Sequence, residues 1–271
     1  MEFPRIIHQI WLQGLVDLPE KYLNNVNQIK NYNPNFEHIL WDEIQILEMF
    51  KSEPQLLKVY YKLLYLHQKV DFARYVILYK YGGIYIDIDV EPVRALENLF
   101  REFNQYDLIV SFSNTDRLES YYLCQKSKCV NNGIIITKPE NNVILQIIDY
   151  IKKNPSYPVM STKMSCINDT TGPNMFSHII LKNLNTSRIK ILDNDYLEPC
   201  TFEGCKVTEN TYLMHKLDCT WCYGGLRDIG KLYYDYKNYL SYIVSLILFI
   251  IIVLCIFSCI FMLRKNHTKL Y

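Results

Sequence analysis

The chain has 271 residues, of which 49% are hydrophobic and 21% charged, so it can bury a sizeable core as one large domain or two small ones. Its 29 basic and 28 acidic side chains leave a formal net charge of +1. That balance excludes the basic footprint of a nucleic-acid binder.

Taken in chain order, Arg5 to Trp11 reads as a short buried strand, β-branched and preceded by Pro4. Gly14 to Pro19 is a loop, and Glu20 to Tyr32 a helix stopped by Asn33-Pro34-Asn35. Phe36 to Trp41 is a second strand, followed by helices at Glu43 to Phe50 and Leu56 to Leu66. Gln68 to Tyr81 carries Val70, Ala73, Ile77 and Leu78 at near-helical spacing. Gly82-Gly83 ends that helix, because glycine accepts the left-handed conformation. Ile84 to Val90 alternates, with the isoleucines and Val90 on one face and Tyr85, Asp87 and Asp89 on the other. Further strands are expected at Asp107 to Phe112, Gly133 to Thr137 and Arg188 to Leu192, and helices at Asn142 to Lys153 and Asn174 to Asn183. The alternation of strands and helices predicts an α/β domain over residues 1–237.

The C-terminal part differs. Met1 to Trp11 is too short and polar for a signal peptide, whereas Leu240 to Leu263 carries no charge and is rich in Ile, Leu, Val and Phe. As a helix it would reach about 36 Å, longer than the ~30 Å hydrocarbon core of a bilayer. One transmembrane helix at 240–263 is therefore expected, with a short basic tail at 264–271. Arg227, Lys231 and Lys237 before it balance Arg264, Lys265 and Lys269 after it, so charge does not assign the sidedness. Lack of a leader favours tail-first insertion with a cytosolic domain. The triplets beginning at Asn168 and Asn185, as glycosylation acceptors, would place the domain on the other side. Cys219-x-x-Cys222 with Cys200 and Cys205 has loose spacing for zinc, and free thiols or one or two disulfides fit the cysteines better.

Asp87-x-Asp89 carries the chemistry. Two carboxylates at the end of a core strand would repel, and one pKa would rise, unless a cation joined them. Carboxylate oxygens suit Mg²⁺ or Mn²⁺, which also bind phosphate oxygens, so a pyrophosphate ester is the natural third party. The alternative is two solvated acids on an exposed strand edge. Asp71 and Arg74 share a face of the preceding helix and read either as an ordinary ion pair or as a pair placed beside the metal.

Pro4 to Gly14 (PRIIHQIWLQG) and Lys69 to Pro92 (KVDFARYVILYKYGGIYIDIDVEP) resemble glycosyltransferases of the Och1-like, DXD-containing family 32. That family includes fungal glycan and inositol phosphorylceramide mannosyltransferases, and the region is also similar to that of clostridial glucosylating toxins. The likeness is concentrated in residues 4 to 93 and is thinner through Asn131-Asn132-Gly133, Thr171-Gly172-Pro173, His215 and Trp221. It implies a GT-A-type, Rossmann-like domain, a nucleotide-sugar donor, a divalent metal and retention of anomeric configuration. By the same resemblance Asp87 and Asp89 hold metal and diphosphate, with His215 as a late ligand. Asp71 and Arg74 hold the donor sugar. Trp11 stacks near the nucleoside base, and His8, Asn132 and Trp221 complete the donor site. Thr220 precedes Trp221 where the family commonly has Ser. The expected donor is GDP-mannose, with a UDP-sugar second. The expected acceptor is a lipid or glycan hydroxyl such as inositol phosphorylceramide, at a Golgi or other endomembrane. A silent, membrane-tethered sugar-binding protein and a metal-dependent phosphohydrolase are the rival readings.

Overall fold

The computed structural model describes residues 2–115, 120, 124–155, 163–201, 204–218 and 242–254. The chain divides into two units, Met1–Trp221 and Cys222–Tyr271. In the first, β1 (Ile6–Ile10) leads to a 3-10 turn at Leu15–Asp17, α1 (Glu20–Tyr32), β2 (Glu37–Trp41), α2 (Glu43–Lys51), α3 (Pro54–Lys62) and α4 (Leu66–Tyr81). Then come β3 (Gly83–Ile86), β4 (Val90–Pro92), α5 (Glu97–Glu102), β5 (Leu108–Ser111) and β6 (Ile134–Thr137). The last elements are α6 (Asn142–Lys153), α7 (Lys163–Thr170), α8 (Pro173–Asn183), β7 (Ile189–Leu192), α9 (Asn194–Leu197), β8 (Cys200–Thr201), β9 (Gly204–Cys205) and β10 (Leu213–His215).

Six strands form one mixed sheet in the order β2-β1-β3-β6-β5-β7. Only β6 runs against the other five. The expected α/β class is thus observed. Each sheet face has its own core. Tyr85, Ile10 and Ile135 pack with α2, α3, α4, α6 and α8, whereas Ile7, Ile84 and Ile86 pack with Ile29 of α1 and Leu99 and Phe100 of α5. The period-two pattern explains this, since successive residues of β3 serve opposite layers.

The turn from α4 into β3 depends on both glycines, with φ of 63° at Gly82 and 86° at Gly83. At Gly83 a Cβ would also collide with the Ile6 carbonyl. This lets β3 enter beside β1, in the register Ile7–Ile84 and His8–Tyr85.

One expectation is corrected. The strand read from Ile84 to Val90 stops at Ile86; residues 88 and 89 form a turn, and Val90 begins β4, which pairs with β10 rather than with the large sheet. The two aspartates converge through this turn and not through the strand pleat. Its backbone is held from several sides: Asp87 N–H donates to Gly133 O at 2.9 Å, and Asn25 and Gln9 donate to the carbonyls of Ile88 and Asp87.

Cys124 is paired with Cys129 and Cys200 with Cys205, so the last two are not free zinc ligands, while Cys166 is a buried thiol. Cys219 and Cys222 lie outside the described residues. Asn168 is buried within α7, which does not suit a glycosylation acceptor. Among the described residues no helix is long and apolar enough to cross a membrane. Within the expected span, residues 242–254 are helical, with exposed apolar side chains such as Leu246, Phe249 and Leu254. The rest of that span and the basic tail fall outside the described residues.

Candidate active site

Because β1, β2 and β3 are parallel, their C-terminal ends share one edge of the sheet, the usual place for a ligand in an open α/β fold. Asp87 follows β3 there, and β10 delivers His215 opposite Val90. One ligand atom from each of Asp87, Asp89 and His215 falls within a 4.8 Å group. His215 Nε2 lies 3.2 Å from Asp89 Oδ1 and 4.0 Å from Asp87 Oδ2. Its other nitrogen, Nδ1, is 3.0 Å from Oε2 of Glu198, an acid only 2% exposed in its side chain. Gly133 forms the wall: a Cβ there would stand 2.7 Å from both Asp87 Oδ2 and His215 Cε1.

The charges are unequal by construction. Burial raises the Asp87 carboxyl, against the pull of Arg74. Burial also opposes ionisation of Asp89, yet His215 and the Asp218 N–H, which donates to Asp89 Oδ2 at 2.8 Å, hold it down at about 2. For His215, burial disfavours the cation, but Glu198 and Asp89 outweigh it and keep the imidazole well above its ordinary value. The cluster therefore takes a positive charge at its centre even when only a proton is available.

Beside it, α4 supplies Asp71 and Arg74, both buried. Arg74 lies 3.2 Å from Asp71 and 3.0 Å from Asp87, stacks 4.4 Å over the Tyr85 ring and donates to the Asn132 carbonyl. Asp71 accepts from Asn132 Nδ2 at 3.0 Å and Thr171 Oγ1 at 2.8 Å. Burial pushes Asp71 up to about 6 despite Arg74. Tyr85 donates to Asp87 Oδ1 at 2.7 Å. Arg74 is thus the hinge between the helix pair and the aspartate turn, and the ordinary-ion-pair reading of Asp71 and Arg74 is too small for this network.

Trp11, just past β1, is partly exposed, with its indole N–H on Asp17 O and its ring 5.7 Å from Tyr22. Lys21, next to Tyr22, pairs with Asp218 and so links this corner to Asp89. Asn132 sits inside the Asp71–Arg74 network. His8 does not reach the cleft: it is fully buried, donates from Nε2 to Gly82 O at 3.0 Å and accepts at Nδ1 from Trp41 at 3.1 Å. Burial takes its pKa to about 4, so it is a neutral structural residue bracing the two-glycine turn. Trp221 lies outside the described residues. Glu198, Tyr85, Thr171 and Gly133 were given no role by sequence. Gly133 and Thr171 stand in the thinner stretches of the resemblance, and Tyr85 stands between the isoleucines on the aspartate side of the strand, but Glu198 had no signal.

Comparison with known proteins now decides the family. Residues 19–106 match the description "Glycosyltransferase sugar-binding region containing DXD motif". An uncharacterised glycosyltransferase of Acanthamoeba polyphaga mimivirus is 32% identical, across 89% of this chain and 91% of its own. The chain belongs to the DXD glycosyltransferases of family 32. Within that family, inositol phosphoceramide mannosyltransferase 3 of Schizosaccharomyces pombe is 37% identical over 35% of this chain, and the match spans 27% of that protein. A mannosyl phosphorylinositol ceramide synthase of Saccharomyces cerevisiae is 27% identical over 66% of this chain and 42% of its own length. The match therefore spans less than half the length of these fungal relatives.

Proposed function

We infer that this family 32 glycosyltransferase moves a hexose, with mannose from GDP-mannose as the first donor, onto a lipid or glycan hydroxyl, by a GT-A-type domain tethered through residues 240–263. The observation that carries the reading is the joining of Asp87, Asp89 and His215 to the Arg74 network at the open end of the sheet. The fungal relatives' names favour mannose and a phosphoinositol ceramide acceptor. A UDP-sugar transferred to a glycoprotein is the second reading.

The donor set fits a hard divalent cation: two carboxylates, one imidazole and a built-in preference for positive charge. Asp87, Asp89 and His215 would hold Mn²⁺ or Mg²⁺, which when bound supplies charge stabilisation to a leaving nucleoside diphosphate. Asp71 and Arg74 orient the sugar in the pre-formed network, where position is worth more than added contacts. Trp11 offers a ring face to the base. With retention as the family resemblance implies, the reading is a front-face transfer in which the acceptor hydroxyl attacks the anomeric carbon, the bond to the diphosphate breaks and the acceptor proton passes to the departing phosphate. A phosphohydrolase would use further metal ligands, and among the described residues the cluster has these three. Purified protein incubated with manganese and a panel of radiolabelled nucleotide sugars should transfer or hydrolyse one of them. Binding without turnover would favour a silent binder, and phosphate release from simple esters a hydrolase.

A further inference from the structure

Apolar exposure in the first unit is lopsided. Its five most exposed large apolar side chains, among the described residues, are Val16 (98%), Ile44 (78%), Leu64 (68%), Tyr61 (62%) and Leu15 (59%). All five sit at the sheet edge that carries the aspartates. Leu15 and Val16 follow β1, and Ile44 opens α2 just after β2. The helix α4 runs back against β3, so Leu64, just before α4, lies at the β3 exit. Tyr61 lies in the last turn of α3, and the adjoining Tyr60 donates to Glu43, next to Ile44, at 3.1 Å. The 63–65 loop is held in shape: the N–H groups of Leu64 and Tyr65 both donate to Gln68 Oε1 at 3.1 Å. At the far edge, Tyr32, Tyr81 and Leu184 are much less exposed.

Single exposed apolar residues need no explanation, but a set gathered on one rim does. We propose that the loop tips bearing Leu15, Val16, Ile44, Tyr61 and Leu64 dock the open end of the active site onto a lipid bilayer, so that the acceptor hydroxyl is met at the membrane surface. Three features select a bilayer over a protein. The apolar groups stand on separate loop tips and helix ends rather than on the face of one element. At the α3–α4 tip, exposed Lys62 and Lys163, the latter 5.7 Å over the Tyr65 ring, supply cations for headgroup phosphates, whereas exposed Asp17 stands beside Val16 at the β1 tip. The same chain carries the uncharged apolar stretch 240–263. This inference rests on the transferase reading with a membrane acceptor and adds the surface that presents it.

The test uses the full-length chain reconstituted in phosphatidylcholine vesicles containing about 20% phosphatidylserine and a photoactivatable phospholipid. Cross-linked peptides identified by mass spectrometry should include residues 15–16, 44 and 61–64 and omit residues 32 and 184. Label confined to 240–263, or chain-to-chain cross-links through the rim indicating a second copy, would overturn the proposal. A Val16→Asp, Leu64→Asp double variant, altered only at exposed positions, should hydrolyse nucleotide sugar in the absence of acceptor as the parent does. Its transfer to inositol phosphorylceramide in the same vesicles should fall at least tenfold, and unchanged transfer would also overturn the proposal. If the parent turns over no donor at all, the transferase reading fails, while the cross-linking still decides the docking surface.

Discussion

His215 can offer only one nitrogen to a cation, because Glu198 takes the other. The buried carboxylate accepts from Nδ1–H at 3.0 Å, which fixes the tautomer and leaves Nε2 aimed at Asp87 and Asp89. Glu198→Ala should weaken Mn²⁺ binding by about 10–100-fold, measured by electron paramagnetic resonance without donor. Glu198→Gln, which can still accept that hydrogen bond, should recover part of the loss; identical affinity in all three proteins would contradict the arrangement. Gly133→Ala probes the same wall. Its methyl would press on Asp87 Oδ2 and His215 Cε1 at 2.7 Å, so metal affinity should drop by at least tenfold while the melting temperature changes little. Asp71 sets a pH dependence. Burial raises its carboxyl from 3.8 to about 6, so the folded protein keeps a proton that the unfolded chain has released. Its contribution to stability is complete below pH 3.8 and is lost as pH rises through about 6. Activity should run the opposite way if, as proposed, the ionised form pairs with Arg74 to orient the sugar. The turnover rate at saturating metal should fall as pH drops through about 6, and a rate that stays flat to pH 5 would remove Asp71 from the reaction.

At the scale of elements, the unit that makes the site is α4, two glycines, β3 and the aspartate turn. Gly83 has φ of 86° and no room for a Cβ against Ile6. Gly83→Ala should therefore cost at least about 2 kcal/mol and lower the melting temperature by about 4–8 °C; an unchanged melting curve would show that the turn relaxes freely. Long periodic elements were legible in the sequence: α1 and α6 begin and end where the pattern and the flanking stop signals place them. The strand through Asp89 was not, because alternation survives a tight turn. Ile84, Ile86 and Val90 still enter one core although the chain changes sheets between them. Short polar α7 and α9 and the two-residue strands carry too few residues to show a period. The aspartates were legible as a local motif. The Glu198–His215 contact was not, since a lone Glu before a Pro has no pattern and its partner is supplied only by the antiparallel pairing of β10 with β4.

For the whole molecule, the sheet divides the labour. Its two faces bury the cores, and its open edge carries the charged cluster, the partly exposed Trp11 and the apolar rim. On the proposed reading, the uncharged apolar stretch 240–263 adds attachment to this. A chain ending at residue 237 should pass from the membrane to the soluble fraction yet keep donor hydrolysis with manganese; continued membrane sedimentation in high salt would assign attachment to another part. The proposed chemistry turns on one event, the gripping of a diphosphate by Asp87, Asp89 and His215 through a divalent cation. Titration of GDP and UDP into the protein by calorimetry, with manganese and then with EDTA, tests it most directly. One nucleotide should bind in manganese, lose at least about 100-fold in affinity in EDTA, a difference of about 2.7 kcal/mol, and lose as much in Asp89→Asn with the metal present. Equal binding with EDTA, or an Asp89→Asn variant that binds as the parent does, would contradict it.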